Sequence, residues 1–443
     1  MSEREEFEML FEGRIVLKGG HLVDPASGID EITDIRMDEG IILAIQKDIH
    51  PTAGETVIPC DGQYIFPGFV DLHVHFRDPG QTYKETLESG SRAAAAGGFT
   101  AVCPMPNTVP ATDSLEKISL LLKRSKEEAA VNILPISAVT IGQEGKENVN
   151  VSAVKLAGAV ALSEDGKSVM DTDLYEKALR KAKEEDIPVF AHCEDKSILR
   201  GGVINAGKKA EELGLPGISD AVEDIIAARD LILAGETGAH VHLCHCSTKA
   251  SVAFLMMAKQ LGYPVSAEAC PHHFALCDED IPFNDGNYKM NPPLRSREDM
   301  MAIREGLKRG IIDCIATDHA PHSEEEKANG FGGSPFGITG LETAFAVSYT
   351  TLCLEGGMKL MDLIRLMSLN PSKIIKWRGG SVTPGKPADL CVCSLAEFTV
   401  DKNAFVSKGH NTPFHGKKLH GKVMRTFVGG KQVYQSPECE VLF

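Results

Sequence analysis

Between residues 13 and 66 the apolar positions come in short runs. RIVLKGGHLVD, TDIRMDEGIILAIQ and ETVIPCDGQYIFPG are β-branched stretches broken by Gly, Asp and Pro. That pattern predicts short strands and turns, with no long helical period. The far end repeats it in GSVTPGKPADLCVCSL and KVMRTFVGGKQVY. Both ends are therefore expected to contribute to one small β unit, residues 1–66 plus 378–443. Between them the period changes. The strand-like FVDLHVHF leads to the helical YKETLESGSRAAAAGG, and FTAVCPM to SLEKISLLLKRSKEEA. VNILPISAVT, IPVFAHCED, HVHLCHCST, PVSAEACPHH and IIDCIATDHAPH read as further strands, with DLYEKALRKAKEED, DAVEDIIAARDLILAGETG, SVAFLMMAKQLG and EDMMAIREGLKRG as helices. Repeated strand–helix units over residues 67–377 predict the α/β class and a (β/α) barrel rather than an open sheet. No GxGxxG follows the first strand, which argues against a dinucleotide site.

His73, His75, His192, His245 and Asp318 fall at or near the C-terminal ends of these strands. In a barrel those ends converge on one face, where active sites lie. The strongest signal is Asp71-Leu72-His73-Val74-His75-Phe76-Arg77. Side chains on a strand alternate faces, so His73, His75 and Arg77 share one. Two neutral imidazoles so placed suit Zn²⁺, and Arg77 beside them offers a planar fork for an anion. A lone HxH is as readily an accident of a buried strand. The histidines and strand-end Asp downstream make that reading untenable here. Four His and one Asp exceed the three protein ligands usual for one catalytic zinc. A two-metal site follows, with ions about 3.5–4 Å apart and a bridging ligand. The loop Ser163-Glu164-Asp165-Gly166 offers the carboxylate.

Charge and cysteine content narrow the class. The 443 residues hold 46 Lys plus Arg and 62 Asp plus Glu, a net charge of −16. That balance argues against nucleic acid or an anionic membrane as partner, because both reward a basic face. An anionic small substrate stays possible, since one local Arg can override the global sign. No run of about 18 apolar residues predicts a membrane span. The acidic start MSEREEFEML lacks signal-peptide features, so a cytoplasmic location is expected. The 12 Cys include no CxxC pair and are expected to be free, buried thiols that supply no metal ligand. His240 and His242 are expected in the barrel wall, and His319 is given no role. One of His272 and His273 is a candidate for orienting a ligand. His410, His415 and His420 are expected on the surface or in the β unit. Gly330, Gly332 and Gly333 predict a mobile loop that carries Phe336.

The segments DLHVHFRDPG, MPNT, SEDGKSV, AHCED, HCSTK, YKMNPPLR, ATDHAPH and SPFGITGLETA resemble, in order, the bacterial class I dihydroorotases of the amidohydrolase superfamily. The match runs from about Gly68 to Ala344, and the flanking β segments fit the same family. The resemblance implies a (β/α)8 TIM-type barrel with a small β-sandwich. It implies two Zn²⁺ ions, with His73 and His75 on the more buried one, His192 and His245 on the second, and Asp165 bridging. Asp318 would touch the first ion and transfer protons. His75, Arg77, Asn107, Asn291 and His322 would hold the substrate, and Phe336 and Gly337 would line its ring pocket. Many relatives carry two Asp before this Gly; here Glu164 precedes Asp165, so a one-residue shift would give Glu164 the bridge. Related hydantoinases and allantoinases use a carboxylated Lys. Lys155 and Lys167 lie near the motif but outside it.

The implied activity is the zinc-dependent, reversible cyclisation of N-carbamoyl-L-aspartate to L-dihydroorotate in pyrimidine biosynthesis. A homodimer and an association with aspartate transcarbamoylase are further implications of the resemblance. The alternatives are another cyclic amidohydrolase, such as a hydantoinase or allantoinase, and a catalytically silent scaffold homologue.

Overall fold

A computed structural model describes residues 13–439. The MSEREEFEML segment, with its expectation about a signal peptide, lies outside the described residues. The chain is a mixed α/β protein. Strands from both ends share one eight-stranded sheet, in the spatial order Lys431–Gln435, Lys418–Val428, Leu390–Thr399, Tyr64–Pro67, Ile15–Asp24, Ile29–Asp38 and Ile41–Gln46. Thr56–Pro59 completes it by pairing with Ile15–Asp24. The two ends meet where Leu390–Cys393 runs antiparallel to Tyr64–Pro67. Side chains on a strand alternate faces, and the LCVC run uses both. Leu390 and Val392 pack into a core with Ile15, Leu17, Ile65 and Phe427. Cys391 and Cys393 join the larger core with Phe66, Phe69 and Phe345. That strand thus buries both thiols as small apolar groups. All cysteines are free, and only Cys353 and Cys439 are not fully buried.

The middle of the chain forms parallel strands. Phe69–Val74, Phe99–Pro104 and Asn132–Ile133 pair successively. Ile136–Ala138, Ala161–Ser163, Val189–Ala191, Val241–Leu243, Val265–Ala269 and Cys314–Ile315 form a six-stranded parallel series. At its far side, His319 bridges to Val74 in parallel sense, and His75 N donates to His319 O at 2.8 Å. The first and last strands are therefore neighbours, which brings residues about 245 positions apart in sequence within reach.

The connecting helices follow from local chemistry. Helix Leu87–Ala96 starts at a capping box between Thr86 and Ser89. Asp171 caps Thr172–Glu184, which buries Tyr175, Ala178, Leu179 and Ala182 at helical spacing. Among the described residues no helix is long and apolar enough to cross a membrane.

Candidate metal centre and substrate pocket

His73 lies within its strand, while His75, Asp165, His192, His245 and Asp318 follow just beyond the C-terminal ends of theirs. All six are buried, none more than 6% exposed. They converge around Asp165. His73, His75 and Asp165 form one group whose ligand atoms lie within 4.8 Å of one another, and Asp165, His192 and His245 form another. Asp165 Oδ1 is 3.3 Å from His73 Nε2, 3.4 Å from His192 Nδ1 and 3.6 Å from His245 Nε2. Its Oδ2 is 3.5 Å from His75 Nε2. Asp318 Oδ1 is 2.9 Å from His75 Nε2 and 3.5 Å from His73 Nε2.

Hydrogen bonds on the outer side fix what these rings present inward. His73 Nδ1–H donates to Glu268 Oε1 at 2.8 Å, and His75 Nδ1–H donates to Asn107 Oδ1 at 3.0 Å. With those protons committed, both Nε2 atoms turn lone pairs toward carboxylate oxygens. Acceptors facing acceptors in a buried site repel unless a cation lies between them. His73 Nε2, His192 Nε2 and Asp165 Oδ1 are buried without a hydrogen-bond partner among the described residues. The protonation preferences tell the same story. Burial disfavours charge on His73, yet Asp165 and Asp318 hold its pKa well above the ordinary value. Burial would raise Asp165 and Asp318, but the imidazoles, His73 foremost, hold both carboxyls below the usual range. His192 is pushed up to about 10, its burial outweighed by Asp165 and Glu194. The cluster demands positive charge, and its imidazole and carboxylate donors fit Zn²⁺.

Glu164 is turned elsewhere. Its carboxylate accepts from Val139 N at 3.1 Å, Thr140 N at 3.0 Å and the Thr140 hydroxyl. Lys155 and Lys167 donate to the carbonyls of Glu185 and Gln143. Of the residues near the motif, Asp165 alone lies in the cluster among the described residues.

A cavity of about 180 Å³ opens beside the cluster, lined in part by Arg77, Asn107, Asn291, Phe336 and Gly337. Arg77 is half-buried and makes no ion pair among the described residues, and its buried Nε lacks a hydrogen-bond partner. Its one close polar neighbour is His322 Nε2, at 3.3 Å. That ring is already committed: Lys84 Nζ donates to Nδ1 at 3.1 Å, so Nε2 carries the proton that it donates to Phe336 O at 2.8 Å. Two donors face each other, and Arg77 is left with its charge open to the cavity. Gly337 needs its missing side chain. Its φ is +128°, and a Cβ there would stand 2.6 Å from Ala320 Cβ. Arg77, His245 and Asp318 also have positive φ, at 58°, 33° and 48°. Such geometry costs on the order of 1–3 kcal/mol per residue and persists where surroundings over-determine it.

Several supporting residues escaped the sequence reading. Asp71 accepts from His73 N at 3.0 Å, Thr317 N at 3.1 Å and Thr317 Oγ1 at 2.6 Å, tying the His73 strand to the Asp318 strand. Its place two residues before His73 was a usable signal. Glu268 also accepts from His242 Nε2 at 3.0 Å, so His242 has a named partner in the wall. Burial is overcome by His242 and His73, and the Glu268 pKa falls to about 2. His273 donates to Pro292 O at 2.9 Å, and neither it nor His272 hydrogen-bonds to a proposed ligand among the described residues. His319, given no role, faces Glu85 and accepts from Gly340 N. The Gly330 region holds two short helical turns, Glu324–Lys327 and Gly330–Gly333. Lys327 Nζ donates to the carbonyls of Lys289, Pro335 and Gly337 at 3.0, 3.0 and 2.8 Å. From the far C-terminal segment, Asn411 accepts from His322 N at 3.0 Å and donates to Ala320 O at 3.2 Å and Gly337 O at 3.1 Å.

Residues 62–251 match the Dihydro-orotase-like family model. A dihydroorotase from Geobacillus sp. (strain WCH70) is 46% identical over 422 residues, 95% of this chain and 99% of that protein. One from Bacillus caldolyticus is 47% identical over 404 residues, 91% and 95% of the two chains. Among solved structures, the L-hydantoinase (dihydropyrimidinase) from Arthrobacter aurescens superposes with a TM-score of 0.86 at 26% identity, covering 98% of both chains. The D-hydantoinase from Thermus sp. gives 0.80, also at 26%, over 94% of both. The fold and metal-capable cluster are those of metal-dependent cyclic amidohydrolases, and the chain belongs to the dihydroorotase family.

Proposed function

We propose that the chain interconverts N-carbamoyl-L-aspartate and L-dihydroorotate, using two Zn²⁺ ions. The observation that carries this reading is the pair of ligand groups sharing Asp165, with the unpaired Arg77 guanidinium beside them. His73, His75 and Asp318 would hold one ion and His192 and His245 the other, with Asp165 available to both. Ions so held lower the pKa of water and polarise an amide carbonyl. The remaining work belongs to side chains. Arg77 grips the substrate carboxylate through its fork, with Asn107 and His322 on the same wall. Phe336 and Gly337 enclose the ring. Asp318 takes the proton of the attacking water and delivers it to the departing ring nitrogen. In the closing direction the carbamoyl nitrogen attacks the side-chain carboxyl, loses its proton and expels the carboxyl oxygen as water; because this consumes a proton overall, cyclisation is favoured at lower pH.

The same reading divides the chain into a closed (β/α)8 barrel, residues 67–377, and a small β-sandwich from residues 1–66 plus 378–443. The protein acts in the cytoplasm as a homodimer and associates with aspartate transcarbamoylase. Metal analysis alongside dihydroorotate turnover tests the central claim: two zinc ions per chain and reversible turnover are expected. Turnover of hydantoin or allantoin, with none of dihydroorotate, overturns the substrate. A chain that holds no zinc and stays silent after zinc reconstitution is a scaffold.

A further inference from the structure

Glu194 has no part in the scheme above, yet it stands at the edge of the pocket. It is buried, 6% exposed, and Asn291 Nδ2 donates to its Oε2. Its backbone is held from below: Ser168 Oγ donates to His192 O and accepts from Glu194 N. Asn291 lines the cavity. A carboxylate can only accept, so it selects one of the two orientations of the Asn291 amide. The NH₂ must face Glu194, and Oδ1 is left for the pocket. Asn107, which lines the same cavity, is fixed in the opposite sense. Its Oδ1 is taken by His75 Nδ1–H and one N–H goes to Asp165 Oδ2 at 3.2 Å, so a second N–H remains to donate.

We propose that Glu194 is a positioning residue that fixes Asn291 as a hydrogen-bond acceptor, so that the pocket reads a ring N–H of its substrate alongside the donors that hold the carboxylate. The inference rests on the dihydroorotate reading and extends it. The cavity lining supplies donors, Arg77 and Asn107, and an acceptor, Asn291. A ring bearing both an anion and an N–H is accepted in one orientation, and a ring whose nitrogen is alkylated loses its partner.

The test swaps the pair. In the zinc-loaded enzyme, Glu194→Gln removes the obligatory acceptor, because an amide can face Asn291 either way. KM for dihydroorotate is expected to rise about tenfold, the worth of one hydrogen bond, with kcat changed less than threefold. Adding Asn291→Asp reverses the polarity: the new amide donates to the new carboxylate, whose other oxygen faces the pocket. This double variant keeps the net charge of the pair and is expected to recover KM to within about threefold of the parent. A merely structural Glu194 predicts no such rescue. The idea is overturned if Glu194→Gln leaves KM unchanged, or if the double variant is no better than the single one. Zinc lost from Glu194→Gln also overturns it, since Glu194 Oε2 lies 3.8 Å from His192 Nε2 and would then be acting on that ligand. A parent enzyme inert toward dihydroorotate would instead sink the functional reading itself.

Discussion

The floor and the wall of the pocket are held in different ways. The floor consists of strand ends, and its side chains are aimed by the parallel pairing that sets each strand beside the next. His73 and His75 point the same way because the strand has period two, and Glu268 and Asn107 then pin their rings. The wall consists of Pro321–His322, Phe336 and Gly337 on irregular loops. Its shape comes from a few side-chain anchors: Asn411, Lys327 and Lys84 each reach in to hold a backbone or a ring. A floor so built tolerates little error in ligand placement, while a wall so built fails one anchor at a time. The two should therefore break differently: the floor through turnover and metal, the wall through KM.

The largest effect is expected on the floor. Asp318→Asn removes the proton acceptor while its near-isosteric amide fits the same space. Turnover should fall by about 10³-fold or more, within the range for general acid–base groups. Metal content should stay close to the parent's, because five other proposed ligands remain. Steady-state assays with metal analysis check both halves, and an active variant would remove Asp318 from its assigned role.

This contrast also explains what could be read from the sequence. The strand–helix alternation is a local pattern that the strands follow, but the DLHVHFR parity holds only as far as the strand, which ends at Val74, and Arg77 turns into the cavity through a positive φ. The shared sheet of the two ends was foreshadowed by matching short-strand patterns. Its pairing of Leu390–Cys393 with Tyr64–Pro67 was not, because register depends on partners more than 300 residues apart. Asn411 illustrates the limit. It bonds to residues 74 to 91 positions away, and nothing in its neighbourhood marks it as more than a polar loop residue. Glu268 was hidden for another reason: a glutamate inside a buried strand looks out of place until His73 and His242 are seen on either side of it. The bridge shows the converse. Glu164 and Asp165 are chemically interchangeable in the sequence, and only the backbone of Val139 and Thr140 shows where the first one goes.

A second break in the floor should be milder. Glu268→Gln keeps the volume but weakens the charge-assisted bond that orients His73. Partners of this kind typically contribute 10–100-fold in metal affinity or activity. Zinc affinity by chelator competition should fall by about that factor, with KM for substrate at saturating zinc little altered. If KM alone moves, floor and wall are not separable as described.

On the wall, Asn411→Ala deletes three hydrogen bonds at once; His322 N and Ala320 O are left to find water or nothing, and Gly337 O keeps only Lys327. An increase in KM of about tenfold is expected, since a net hydrogen bond contributes about 0.5–1.5 kcal/mol and loops can relax. Zinc content and kcat should change little. The double variant with His322→Ala should be less than additive, because both changes disturb one contact surface. Full additivity would mean that Asn411 works through the backbone of the Gly337 loop alone.

The smallest effect concerns Lys327. Burial, then the nearby Lys289 ammonium, pushes its pKa down to about 7. Its three carbonyl acceptors match the three N–H donors of an ammonium, whereas a neutral amine has only two. Below pH 7 the clamp on Pro335 and Gly337 is therefore complete; above it, one bond is lost. Lys327→Met removes all three at every pH. KM is expected to rise about threefold at pH 6, less than for Asn411→Ala because the loop keeps its other anchors, among them Asn411. The ratio of variant to parent KM should shrink between pH 6 and pH 8, because the parent approaches the variant as its amine loses a donor. A ratio that grows with pH would mean that Lys327 keeps its proton and that the wall tightens for some other reason.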